Sequence, residues 1–160
     1  MIRLVAVSTT VISGVFMGEA LRKAERDTLK EAEALYELIA FIKREIEQRS
    51  LPLGVIFSSY LSEKRHPLIE NALRFVRGSY GDKILFMIRT VCSEKTCSEL
   101  EAFAHTLGAL DRDSQKEALK KALLSMEKEL TDRRVECSSK CRLYSSLSLL
   151  VSCIVAVLLY

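Results

Sequence analysis

The chain has 160 residues, and its 24 Lys and Arg against 21 Asp and Glu leave a formal charge of +3. That length is the prior of one domain, and so slight a charge gives no electrostatic reason to expect nucleic acid as a partner. Two prolines, six glycines and no tryptophan argue against a turn-rich sheet fold and for long helices. No internal repeat or low-complexity run is visible.

Residues 4–18 are uncharged and mostly apolar, between Arg3 and Glu19. At about 1.5 Å of rise per residue the run is short for a hydrocarbon core of ~30 Å, so it spans only if the bilayer thins or the flanks stretch. A cleaved secretory signal is the competing reading. Against it, Ser13-Gly14-Val15 is a poor small-x-small cleavage site, and the run passes straight into Ala20-Leu21-Arg22-Lys23 with helical character. The expectation is an uncleaved transmembrane anchor over residues 1–18.

No proline or glycine occurs from Glu19 to Ser50, and Leu35, Leu38, Ile39, Ile42 and Ile46 fall on one helix face, so residues 20–49 are predicted as a long helix. Ser50-Leu51-Pro52-Leu53 breaks it. Ser50 or Leu51 would precede the next helix, with Pro52 in the first turn, where its missing N–H costs nothing. Leu53, Ile56, Phe57, Tyr60 and Leu61 then form an apolar face. His66-Pro67 is the next boundary. Leu68, Ile69, Ala72, Leu73 and Val76 carry the pattern on to Gly78, placed for a left-handed helix cap.

After Ser79-Tyr80-Gly81-Asp82, a short helix is predicted from Ile84, Leu85, Met87, Ile88 and Val91. Thr96 with Glu99, and Ser98 with Glu101, match capping boxes opening a helix with Leu100, Phe103, Ala104 and Leu107, which Gly108 closes. Asp111, or Ser114 with Glu117, then starts the last helix, whose face is Leu119, Ala122, Leu123, Met126 and Leu130. No breaker follows as far as Tyr160, so this helix is free to continue into residues 143–160, eighteen residues without a charge.

That final run is about 27 Å long as a helix and densely apolar all round in its second half, the pattern of a membrane helix. A core helix of a soluble protein is the alternative. Ser145, Ser146, Ser148 and Ser152 dilute the first half, and their hydroxyls can bond back to carbonyls one turn earlier. The expected fold is all-α: a bundle of about six helices over residues 19–142, between an N-terminal transmembrane helix and a C-terminal one over residues 143–160.

The charges give that arrangement a side. Arg22, Lys23, Arg26 and Lys30 follow the first run, and Lys128, Arg133, Arg134, Lys140 and Arg142 precede the last, against Arg3 alone on the far side. Basic residues collect on the cytoplasmic side, so the bundle is expected there.

Chemistry-bearing constellations are few. Cys92, Cys97, Cys137 and Cys141 could in principle offer four thiolates to zinc, but they lack the tight spacing of strong sites, and Cys153 falls in the membrane run. Single buried thiols in a reducing compartment act as small apolar side chains. His66 precedes a proline, and His105 stands beside Phe103 and Leu107. There is no nucleophile elbow, phosphate-binding glycine loop or metal-binding helix motif. Acidic pairs such as Glu45 with Glu47 and Glu127 with Glu129 alternate with Lys and Arg, as on a solvated helix face. The expectation is no enzyme, no cofactor, no metal and no small-molecule substrate.

One segment is more distinctive. Leu107-Gly108 followed by Asp111, then Gln115 opening a long charged helix into a C-terminal apolar run, resembles the stage III sporulation protein AB family. The resemblance extends over the whole length: the N-terminal anchor, the Leu51-Pro52-Leu53 break, the segment from Leu107 to Gln115, and the terminal anchor ending in Leu-Leu-Tyr. Its motif positions are Pro52, Leu107, Gly108, Asp111 and Gln115, structural or interaction residues rather than catalytic ones. Gly108 and Asp111 also have a local account as helix stop and helix start.

The resemblance implies a subunit of the mother-cell membrane complex that, with its forespore partner, connects the two compartments. It also implies a soluble domain like the cytoplasmic domain of the platform protein (protein F) of type II secretion systems. By that analogy the chain is a non-enzymatic platform of a secretion-like channel. It would lie in the mother-cell membrane facing the forespore and link a cytoplasmic secretion-type ATPase to ring-forming membrane proteins. The alternative is a membrane-tethered regulatory or adaptor bundle unrelated to a channel. An ATPase and several small membrane proteins encoded beside it would discriminate the two.

Overall fold

A computed structural model describes residues 2–49, 51–107 and 112–159. They form α1 (Ile2–Arg49), α2 (Leu53–Glu63), α3 (Pro67–Phe75), α4 (Tyr80–Val91), α5 (Glu94–Thr106) and α6 (Arg112–Leu159). No strand occurs among the described residues, as the composition and periodicity lead one to expect. The uncharged run at each end continues the neighbouring charged helix, giving two helices of 48 residues each. The chain divides into two compact units, Lys30–Thr131, and Met1–Leu29 with Asp132–Tyr160.

The Lys30–Thr131 unit has a conventional core. Leu35, Leu38, Ile39, Ile42 and Ile46, the predicted face of α1, are all buried. They are joined by Ile56 and Phe57 of α2, Ile69 and Ala72 of α3, Ile84, Met87 and Ile88 of α4, Leu100 of α5, and Leu119 and Met126 of α6. Each large side chain taken fully out of water contributes about 1.5–3 kcal/mol. Rings complete the packing. Phe41 meets Tyr60 edge-on with centroids 5.3 Å apart, and Phe57 stacks on Tyr80 at 5.0 Å, both arrangements favoured by the ring quadrupoles. Gly81 allows the approach of α4 to α5, because a β-carbon there would meet the Ala104 carbonyl oxygen.

The helix boundaries follow cap chemistry that periodicity does not reveal. Pro52 stands just before α2 rather than inside its first turn, and its carbonyl accepts the N–H groups of Val55 (2.9 Å) and Ile56 (3.1 Å). Gly78 has the expected positive φ, 126°, but it does not cap α3, which ends at Phe75 with Val76 extended behind it. Its role is at the next helix. A β-carbon on Gly78 would strike the Asp82 carboxylate, and that carboxylate accepts the Ser79 N–H at 2.7 Å. The Ser79 hydroxyl in turn accepts the Asp82 N–H at 3.2 Å, completing a capping box at the start of α4.

Three predicted boxes are corrected. Thr96 and Ser98 lie inside α5, which begins at Glu94 behind Ser93. Ser114 lies inside α6, which begins at Arg112; the alternative cap, Asp111, is outside the described residues, as is the expected helix stop, Gly108.

The cap of α5 comes from far along the chain. Glu129 of α6, 8% exposed, accepts the Ser93 N–H at 3.0 Å, the Ser93 hydroxyl at 2.7 Å and the Thr96 hydroxyl at 2.7 Å. A carboxylate with three donors at the positive end of a helix is well stabilised despite its burial.

Candidate functional site

The second unit pairs the beginning of α1 with the end of α6. Gly14 lies against Ser152 and Gly18 against Ser148, while farther along Glu25 faces Lys140 (3.5 Å) and the Tyr144 hydroxyl (3.4 Å). As the α1 number rises the α6 number falls, so the two helices run antiparallel. The seam is built of small residues spaced four apart on both sides, which lie on one helix face. Gly18 and Ser152 are buried there. The Ser152 hydroxyl donates to the Ser148 carbonyl (2.6 Å), and the Ser148 hydroxyl to the Ser145 carbonyl (3.2 Å), which satisfies both without widening the gap.

Bulky apolar side chains point the other way. Phe16 is 72% exposed and Val157 76%. Ile12, Val15, Met17, Leu147, Leu150 and Ile154 are also exposed. Small residues inside and large apolar residues outside invert the order of a water-soluble helix pair and match that of helices packed in lipid, where close backbone approach drives association. Among the described residues no helix is long and apolar enough to cross a membrane. The side chains at positions 4–8, 10, 11, 156 and 158–160, which belong to the uncharged runs, lie outside the described residues.

Beyond the seam the unit becomes polar. Lys140 bonds Glu136 at 2.9 Å as well as Glu25, and these two carboxylates, Glu136 foremost, hold its ammonium above the ordinary value. The Cys137 and Cys141 sulfurs are 4.0 Å apart. Burial, with Cys141 adding to it, pushes the Cys137 thiol up, so it stays protonated and a poor nucleophile. In the other unit Cys92 packs on the Met126 sulfur at 3.5 Å. Among the described residues no group of three or more His, Cys, Asp or Glu side chains stands where it could hold a metal.

The family-motif positions are not gathered into a catalytic arrangement. Pro52 is the exposed cap of α2, Leu107 is buried behind α5, and Gln115 is half-buried in the first turns of α6. Gly108 and Asp111 lie outside the described residues. Of the histidines, His66 precedes α3 with its Nδ1 buried and unpartnered, and His105 is exposed at the end of α5. The features missed from sequence are the Gly14 and Gly18 seam and the Glu129 cap. Glycines four apart in an apolar run were the available signal for the first; nothing local marked the second.

Neither a curated protein nor a solved structure matches the chain. Residues 86–160, which hold the second half of α4, α5 and all of α6, match the family model of stage III sporulation protein AB, and that match supports assigning the chain to this family.

Proposed function

We propose that the chain is a non-enzymatic, membrane-anchored platform subunit of a sporulation channel, with a helical domain on the cytoplasmic side that links an ATPase to ring-forming membrane proteins. A role in stage III of sporulation follows from the family. Anchoring is supported above all by the inverted seam, in which Gly14, Gly18, Ser148 and Ser152 face inward while Phe16, Leu150, Ile154 and Val157 face outward. The two uncharged runs are the transmembrane helices of this reading, and the mother-cell membrane facing the forespore is its location.

The platform role accords with the Lys30–Thr131 unit, whose polar groups serve as caps and helix-surface ion pairs. Such a domain works by holding partners in register.

Orientation is the testable link to the ATPase. In a chain whose five native cysteines are replaced, a cysteine introduced at the exposed position Ser62 should escape a membrane-impermeant maleimide in intact cells and react once the cells are permeabilised. Strong labelling in intact cells would place the domain outside and remove the ATPase-linking role.

A further inference from the structure

Within the Lys30–Thr131 unit a groove runs between α1 and α2. Tyr36, Ala40, Phe41 and Arg44 of α1 line one wall, and Tyr60 and Glu63 of α2 the other, around a cavity of about 380 Å³. The spacings of three and four on each wall put the residues of each helix on one face. A polar group there is left unanswered. Tyr60 is 3% exposed and its ring packs edge-on against Phe41, yet its hydroxyl has no hydrogen-bond partner among the described residues. Buried polar groups are normally paired. Burial, then the carboxylates of Glu37 and Glu63, push this phenol up to about 12, so both acids act on the same hydroxyl.

The cations of the groove are already held. The Lys64 ammonium donates to Glu37 at 2.8 Å, and Arg44 lies over the Phe41 ring at 4.9 Å with its Nε 3.7 Å from the buried Glu45 carboxylate. Glu63 is exposed and forms no ion pair among the described residues. It also closes α2, a helix with no basic residue in its last turn, so the negative end of the helix dipole adds to its charge.

We infer that this groove is a docking site for an arginine side chain carried by a partner protein. The cavity lies at the low end of the roughly 300–1,000 Å³ of ligand pockets and suits one long side chain rather than a cofactor. Charge and shape decide which. The unmatched groups are a carboxylate and a phenol oxygen, and both accept hydrogen bonds. A guanidinium presents its N–H donors in one planar fork, so it can serve both while its flat face rests on the Tyr36 ring. An ammonium has the charge without the fork or the face. Exposed Glu37, Arg44, Glu63 and Lys64 around a floor of rings give the aromatic centre and polar rim of a protein interface. The inference adds a contact chemistry to the platform reading and does not need the chain to be anchored in a membrane.

The detergent-solubilised full chain, carrying isotope-labelled tyrosine, is titrated with the blocked tripeptide Gly-Arg-Gly and followed by NMR. The Tyr36 and Tyr60 ring signals, assigned with Tyr36→Phe and Tyr60→Phe, should shift saturably. Read from the Tyr36 signal, Glu63→Gln should weaken binding about tenfold and Tyr60→Phe about fivefold. Citrulline in place of the peptide's arginine keeps the shape without the charge and should abolish binding, and lysine should weaken it. No saturable shift, equal binding of the citrulline peptide, or undiminished binding by the Glu63→Gln chain overturns the site. Methylguanidinium that binds as tightly as the peptide identifies a pocket for a free organic cation and overturns the assignment to a protein. Tyr36 and Tyr60 shifts that follow the concentration of the chain alone place a second copy in the groove and overturn the assignment to a separate partner.

Discussion

Ser148 occupies the space a side chain on Gly18 would need: a β-carbon there would lie 2.9 Å from the Ser148 Cβ. The same holds one turn away, where a β-carbon on Gly14 would meet Ser152 and lie 3.3 Å from the Ser148 carbonyl oxygen. Overpacking a tight contact costs about 1–3 kcal/mol. Gly14→Leu and Gly18→Leu should therefore each lower the thermal midpoint of the detergent-solubilised chain, while Val151→Leu, on the exposed side, should leave it unchanged. Equal midpoints for all three would mean that the seam does not hold the helices together.

The Glu129 cap predicts coupling between residues 33 apart. Glu129→Ala leaves the Ser93 N–H and the Thr96 hydroxyl without their acceptor and should cost about 1–3 kcal/mol. In a double-mutant cycle with Thr96→Val, measured by urea unfolding of the full chain, the two losses should fall short of additivity by about 0.5 kcal/mol or more. Strict additivity would contradict a direct bond.

How much of this was legible in sequence depended on where the determining partner sits. The core face from Leu35 to Ile46 and the break at Pro52 rest on spacing and on one residue's backbone chemistry, and both were visible. The start of α5 was placed too late, because Ser93 takes its acceptor from Glu129 rather than from its own first turn. The Ser79 box was overlooked since Asp82 fills the place usually held by Glu or Gln. At the candidate site, two of the four serines of the last run, Ser148 and Ser152, bond back along their own helix as expected. Their alignment with Gly14 and Gly18 needs the pairing of two segments more than a hundred residues apart, which no local pattern specifies.

The capping box at α4 sets an acid dependence. The Ser79 hydroxyl, with the Ser79 N–H second, holds the Asp82 carboxyl below its ordinary value of 3.8. A carboxyl depressed in the folded state contributes stability that is present above 3.8 and is lost as the pH falls through the lower, folded value. The Asp82 carboxyl-carbon NMR titration should have its midpoint below 3.8, and Ser79→Ala should raise that midpoint while costing about 1 kcal/mol of stability. A midpoint at or above 3.8 in the unaltered chain would show that the box is absent in solution.

At the alkaline end the sensitive group is Tyr60. Burial first, then the carboxylates of Glu37 and Glu63, push its phenol from 10.0 up to about 12. The folded chain resists this ionisation, so the stability involved is intact below pH 10 and is lost between 10 and about 12. Ultraviolet titration should show one tyrosine ionising late, and Tyr60→Phe should remove that step and soften the alkaline loss of stability. A late step that survives Tyr60→Phe would assign it to another residue.

The central claim, that residues at both ends of the chain pair within a bilayer, is tested most directly by washing membranes of sporulating cells with alkaline carbonate. The chain should stay with the lipid pellet after peripheral proteins have been released. Its recovery in the supernatant would contradict the account.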